Sequence, residues 1–164
     1  MWLSRYHSMQ SQSTRFYLLT LILCFTTSAA AQSPTSFLDG MWKLNAAKSD
    51  GGPRELPGTL TIKVTSKGPE FEGLQTVDGQ EMLLKFRSDG KEMINPLPGG
   101  AEMKSKHRVE DGALIAVYQI TFSQGELTQT DRIAISADGK TLTTTRDVKS
   151  VQGDYNQKLV FDRQ

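Results

Sequence analysis

Six residues between positions 105 and 146 carry most of the chemistry this chain offers: Ser105, His107, Tyr118, Gln129, Asp131 and Arg146. Serine, histidine and aspartate are the residue types of a nucleophilic triad, in which an imidazole takes the hydroxyl proton and a carboxylate orients the ring. Ser105 and His107 lie only two residues apart, on one predicted strand, and nothing near them marks an activated nucleophile. His107 is also the only histidine after the first 31 residues. No His, Cys, Asp and Glu spacing suits a metal, and the glycines fall in turns rather than in a phosphate-cradling loop. No catalytic residue, no metal and no cofactor is therefore assigned. The same residues suit recognition better, because a guanidinium and a phenol are directional hydrogen-bonding groups for a polar head.

What would position them is a series of alternating apolar and polar segments divided by turn dipeptides. The dipeptides are Lys67-Gly68, Asp78-Gly79, Asp89-Gly90, Asp111-Gly112, Gln124-Gly125, Asp138-Gly139 and Gln152-Gly153. Asp-Gly is a strong hairpin signal, since type I′ turns need positive φ at both central residues. The segments between predict ten short strands near 41–46, 59–65, 70–77, 80–88, 91–95, 101–109, 113–123, 126–136, 140–149 and 154–162. No segment repeats with a helical period.

Counting outward from each dipeptide predicts the registers. Asp138-Gly139 sets Asp131 against Arg146, and Gln124-Gly125 sets Tyr118 against Asp131. Asp111-Gly112 sets Ser105 against Tyr118 and His107 against Ala116, while Gln152-Gly153 sets Arg146 against Leu159. All agree on one apolar face, with Ile62, Phe86, Leu114, Phe122 and Phe161 among its members, and one charged face, with Lys63, Glu72, Lys106 and Arg132. One apolar and one charged face across every hairpin predicts an all-β antiparallel meander of about eight to ten strands, closed into a barrel because an open meander would expose its edges. Polar groups stand out on the inward face. Ser105, Tyr118, Asp131 and Arg146 form a row, with His107 and Gln129 one step away and Gln75, Asn95 and Gln157 elsewhere. A buried charge needs a partner, so Asp131 and Arg146 should pair. Two roles remain open for the row: a structural ion pair capped by Tyr118, or the polar floor of an apolar cavity, with Phe86 and Phe122 among the walls. Outward Leu83, Ile115, Val117 and Val160 leave a protein-interaction surface as the alternative.

Gly40-Met41-Trp42 opens the first strand and resembles the G-x-W signature of lipocalins. The run Trp42-Lys43-Leu44-Asn45-Ala46-Ala47-Lys48-Ser49 is similar to the start of secreted bacterial lipocalin-like proteins of the calycin type. The resemblance implies a lipocalin-like barrel, with Gly40 and Trp42 closing one end and Trp42 packed under a basic residue near the last strand, for which Arg163 is the candidate. It also implies a ligand in the interior, a small apolar or amphipathic molecule. Tyr118 and Arg146 would meet its head group much as fatty-acid-binding barrels hold a carboxylate, so an anionic ligand is among those implied. The disulfide common in secreted lipocalins has no counterpart here, the second lipocalin motif is represented by Thr130-Asp131 at best, and ten strands sit nearer the fatty-acid-binding relatives.

The beginning of the chain reads as a signal peptide over 1–31, with basic Arg5 and Arg15, an apolar run from Phe16 to Phe25 and small residues Ser28 to Ala31 before a cleavage site. That run is too short for a span of about 20 residues. Met9 is a second candidate start, and Cys24, the single cysteine, lies within the discarded peptide. A short linker over 32–36 then leads to one barrel domain over 37–164, free of thiols and with a net charge of about −1. The expected product is a secreted or periplasmic monomer with no membrane span after the leader. No basic patch suggests nucleic acid as a partner.

Overall fold

The turns decide which strands become neighbours. The computed structural model describes residues 33–123 and 125–164, so the expected signal peptide lies outside the described residues. Its strands are β1 (Gly40–Leu44), β2 (Leu60–Lys67), β3 (Glu70–Val77), β4 (Gln80–Arg87), β5 (Met93–Pro96), β6 (Glu102–Glu110), β7 (Ala113–Phe122), β8 (Gly125–Ile135), β9 (Thr141–Ser150) and β10 (Tyr155–Arg163). They form one ten-stranded antiparallel sheet in the order β4-β3-β2-β1-β10-β9-β8-β7-β6-β5. Pairing of β1 with β10 rolls the meander into a nearly closed barrel whose two edges, β4 and β5, face one another. Helix is confined to single 3-10 turns, and no helix among the described residues is long and apolar enough to cross a membrane.

Where the turn is Asp-Gly with both residues at positive φ, the counted register holds. Asp78 and Gly79 (φ 48° and 85°) join β3 to β4, and Asp111 and Gly112 (φ 49° and 70°) join β6 to β7. The Asp138-Gly139 loop also keeps its register, with Asp131 opposite Arg146. The two Gln-Gly registers slip by two residues. Tyr118 faces Gln129 rather than Asp131, and Arg146 faces Gln157 rather than Leu159. A glutamine enters the left-handed region less readily than a short aspartate, and in the second loop Gly153 rather than Gln152 takes positive φ, so that loop centres one residue earlier. A slip of two preserves the facing of every side chain, which is why the inward set survives. Between β2 and β3 the loop is Gly68-Pro69, one residue later than counted.

Asp89-Gly90 is no hairpin at all. Gly90 donates its N–H to the His107 carbonyl at 2.9 Å, and Asp89 bridges Arg108, so this connection hooks onto β6. The seam between β4 and β5 therefore has no backbone ladder. Buried Asn95 spans it instead. Its carboxamide accepts the Lys85 N–H at 2.9 Å and donates to the Lys85 carbonyl at 2.8 Å, imitating one rung of a sheet.

The core gathers Leu38, Trp42, Phe71, Leu84, Phe86, Leu114, Tyr118, Leu142, Leu159 and Phe161. Val160 faces outward but is buried, because residues 45–50 run over it: Asn45 donates to its carbonyl and the Ser49 hydroxyl accepts its N–H. It is therefore no part of an exposed apolar face.

Candidate functional site

The sheet is rolled shut where the first strand pairs with the last. Trp42 is fully buried and donates its indole N–H to the Leu38 carbonyl at 2.8 Å. The Arg163 guanidinium lies over its ring, 4.3 Å from the centroid, and donates to the carbonyls of Gly139 (2.8 Å) and Asp39 (2.9 Å). Gly40, at φ +133°, makes room for this. A Cβ there would stand 2.8 Å from Arg163 Nη1.

Beside Trp42 lies a cavity of about 190 Å³, walled chiefly by Leu60, Ile62, Phe71, Phe86, Leu142 and Phe161. Gln75, Tyr118 and Thr144 add neutral polar groups, and Asp131 and Arg146 are the charged residues among the described lining. Antiparallel pairing of β8 with β9 places Asp131 directly opposite Arg146. Arg146 Nε donates to Asp131 Oδ1 and Nη2 to Oδ2, both at 2.9 Å. Gln129 adds a third bond to Oδ2 at 3.0 Å. Asp131 is 2% exposed, while the Arg146 side chain keeps 26%. Two parallel bonds plus the glutamine supply the geometry that a buried carboxylate requires. Burial pulls the Arg146 guanidinium down, but the bond and charge of Asp131 outweigh it, so the group is held above its ordinary value. Its Nη1 donates to Gln157 Oε1 at 3.4 Å, and Gln157 donates in turn to the Gly51 carbonyl at 2.9 Å. The network thus runs from the cavity to the β1–β2 connection.

Tyr118 lines the cavity beside the pair. Burial and the Asp131 charge push its phenol far up, against a smaller opposing pull from Arg146, so it stays a protonated donor. Of the other residues predicted to bind a ligand, Phe86 lines the cavity and Ser105, His107, Gln129 and Phe122 do not. His107 does not line the cavity but packs edge-on against Phe86 (4.8 Å), Phe71 (5.3 Å) and Tyr118 (5.4 Å) as part of an aromatic layer. Burial lowers its pKa to about 4, so it is neutral at neutral pH. Its Nε2 lies 3.4 Å from the Tyr118 hydroxyl. His107 Nδ1 and Ser105 Oγ, on residues 1% exposed, have no hydrogen-bond partner among the described residues. Gln129 reaches the site only through Asp131. Phe86 lines the cavity, whereas Phe122 belongs to a separate small hollow with Leu127, Val148 and Tyr155. Phe122 faces inward but stands at the far end of β7, beyond Tyr118, so strand position removes it from the site.

Sequence reasoning missed Thr144 as a lining group and the bridging role of Asn95. Thr144 alternates correctly for the inward face and so was accessible to register counting. The Asn95 contact depends on which edges meet, for which no local pattern exists.

By sequence, no family model and no curated protein matches the chain. By structure it is similar to Caenorhabditis elegans lipid binding protein 8 in its apo form, at TM-score 0.60 and 13% identity, covering 82% of this chain and 100% of that one. A zebrafish ileal bile acid-binding protein complexed with cholic acid matches at 0.57 and 19% identity, over 79% of this chain and 100% of that one. A Schistosoma mansoni fatty acid binding protein in complex with arachidonic acid matches at 0.55 and 18%, over 80% and 99%. At these identities the likeness establishes the fold: a nearly closed, ten-stranded, calycin-like barrel.

Proposed function

We propose that this barrel binds a small apolar or amphipathic molecule in its interior, with the apolar end against Ile62, Phe86 and Phe161 and the polar end toward Tyr118 and Arg146. The observation that carries the reading is the cavity itself, an apolar chamber with few polar groups, of which Tyr118, Asp131, Thr144 and Arg146 lie on the adjacent strands β7 to β9 and Gln75 on β3. Its volume of about 190 Å³ falls below the roughly 300–1,000 Å³ of drug-sized sites, which favours a short chain. The similar folds named as binding lipid, cholic acid or arachidonic acid support the same class of ligand. A binding role is favoured over a catalytic one because His107, outside the cavity lining and with its pKa lowered to about 4, is a weak base, and Ser105 Oγ and His107 Nδ1 have no hydrogen-bond partner among the described residues. Native mass spectrometry of protein purified from its source tests the reading. Co-purifying apolar mass released by organic solvent is expected; protein that is bare and also displaces no medium-chain probe would refute it.

We also propose that the protein works outside the cytoplasm, after removal of residues 1–31. The support is the order of basic, apolar and small residues in the leader. Intact mass of the exported protein should begin near Gln32, and a species retaining Cys24 would overturn the proposal.

A further inference from the structure

We infer that the ligand's head group is neutral, an alcohol, amide or carbonyl, and that the cavity selects against a carboxylate. This rests on the ligand-binding reading above and specifies its chemistry. The Asp131 and Arg146 charges cancel, and no other charged residue is among the described lining. A carboxylate entering the cavity would leave water and meet no net positive charge, so its desolvation is not repaid. It cannot take the guanidinium for itself either. Both oxygens of Asp131 are held by Arg146 at 2.9 Å, and Gln129 fixes the carboxylate at 3.0 Å. Displacing Asp131 would strand it, 2% exposed, without its cation.

A cationic head group is disfavoured for a different reason. Asp131 is covered on both oxygens, so the reachable member of the pair is Arg146, whose Nη1 makes only one long bond, 3.4 Å, to Gln157. The lining therefore offers Arg146 as its donor, with Tyr118, Thr144 and Gln75 as the neutral polar residues around the same cavity. An uncharged oxygen can accept from Arg146 or Tyr118, and a hydroxyl or amide hydrogen can be received by Thr144 or Gln75. A neutral amphiphile loses little on leaving water and gains these bonds.

Octanamide and octanoate have nearly the same shape and differ in charge, so they isolate the question, with octanol as a second neutral probe. Displacement of an environment-sensitive fluorophore from the mature protein at neutral pH should show octanamide and octanol binding about tenfold or more tighter than octanoate. Asp131→Asn leaves Arg146 uncompensated, so octanoate should gain about tenfold or more relative to octanamide. Octanoate binding the wild-type protein as tightly as octanamide would overturn the inference and leave the ligand-binding reading intact. If none of the three binds, both fall. Should Asp131→Asn fail to fold by circular dichroism, the wild-type comparison alone decides. A folded variant with no gain for octanoate relative to octanamide would refute the charge argument.

Discussion

Arg146 and His107 show how differently two buried polar residues on one face can be held. Arg146 is tolerated because Asp131 compensates it, and the pair resists removal of either member. Arg146→Met should leave the buried Asp131 carboxylate without its cation and cost on the order of 3–5 kcal/mol in urea unfolding. A loss under about 1 kcal/mol would mean the pair is solvated rather than buried. His107 is tolerated because it stays neutral. Its folded pKa of about 4 lies below the ordinary value of 6.5, so the unfolded chain binds the proton more readily. The resulting stabilisation is full above about pH 6.5 and drains away as pH falls toward 4, on the order of 3 kcal/mol in all. Comparing unfolding midpoints at several pH values for wild type and His107→Phe should show a steeper acid decline for the wild type. Parallel curves would mean the ring is hydrated in the native state.

At the scale of elements, the informative feature is the β4–β5 seam. Every other neighbouring pair of strands is joined by a ladder, but here one carboxamide stands in for it. Asn95→Leu would fill similar space while leaving the Lys85 N–H and carbonyl without their partner, a cost of about 1–3 kcal/mol. Amide exchange should then accelerate at Lys85 more than at Glu72, which it faces across the β3–β4 ladder. Uniform acceleration across both would show that the seam is not a local weak point.

The whole molecule is held in register by contacts between its ends. Trp42 on β1 and Arg163 on β10 are directly paired in the sheet, and the arginine is threaded through the space a side chain at Gly40 would fill. Gly40→Ala would force a positive φ on alanine and push the Arg163 guanidinium off the indole. It should destabilise the protein by about 1–3 kcal/mol, and adding Arg163→Ala should then cost much less than it does alone. Strict additivity in that double-mutant cycle would dissociate the glycine from the arginine.

Strand number is legible in the amino-acid sequence from the alternation of side chains, and the Asp131–Arg146 opposition from Asp138-Gly139, because period and turn chemistry are local. The two Gln-Gly registers are not legible there, since a glutamine leaves the centre of a loop undecided between neighbouring positions. Even so, the inward face is recoverable, because a slip of two residues returns each side chain to its side. Tertiary structure alone decided where the sheet stays open, that Val160 is covered by 45–50, and that His107 belongs to an aromatic layer instead of the cavity. It also decided the cavity volume. Each of these depends on which distant strands meet when the barrel closes and on how their side chains fill a shared interior, and neither is encoded in a pattern a few residues long.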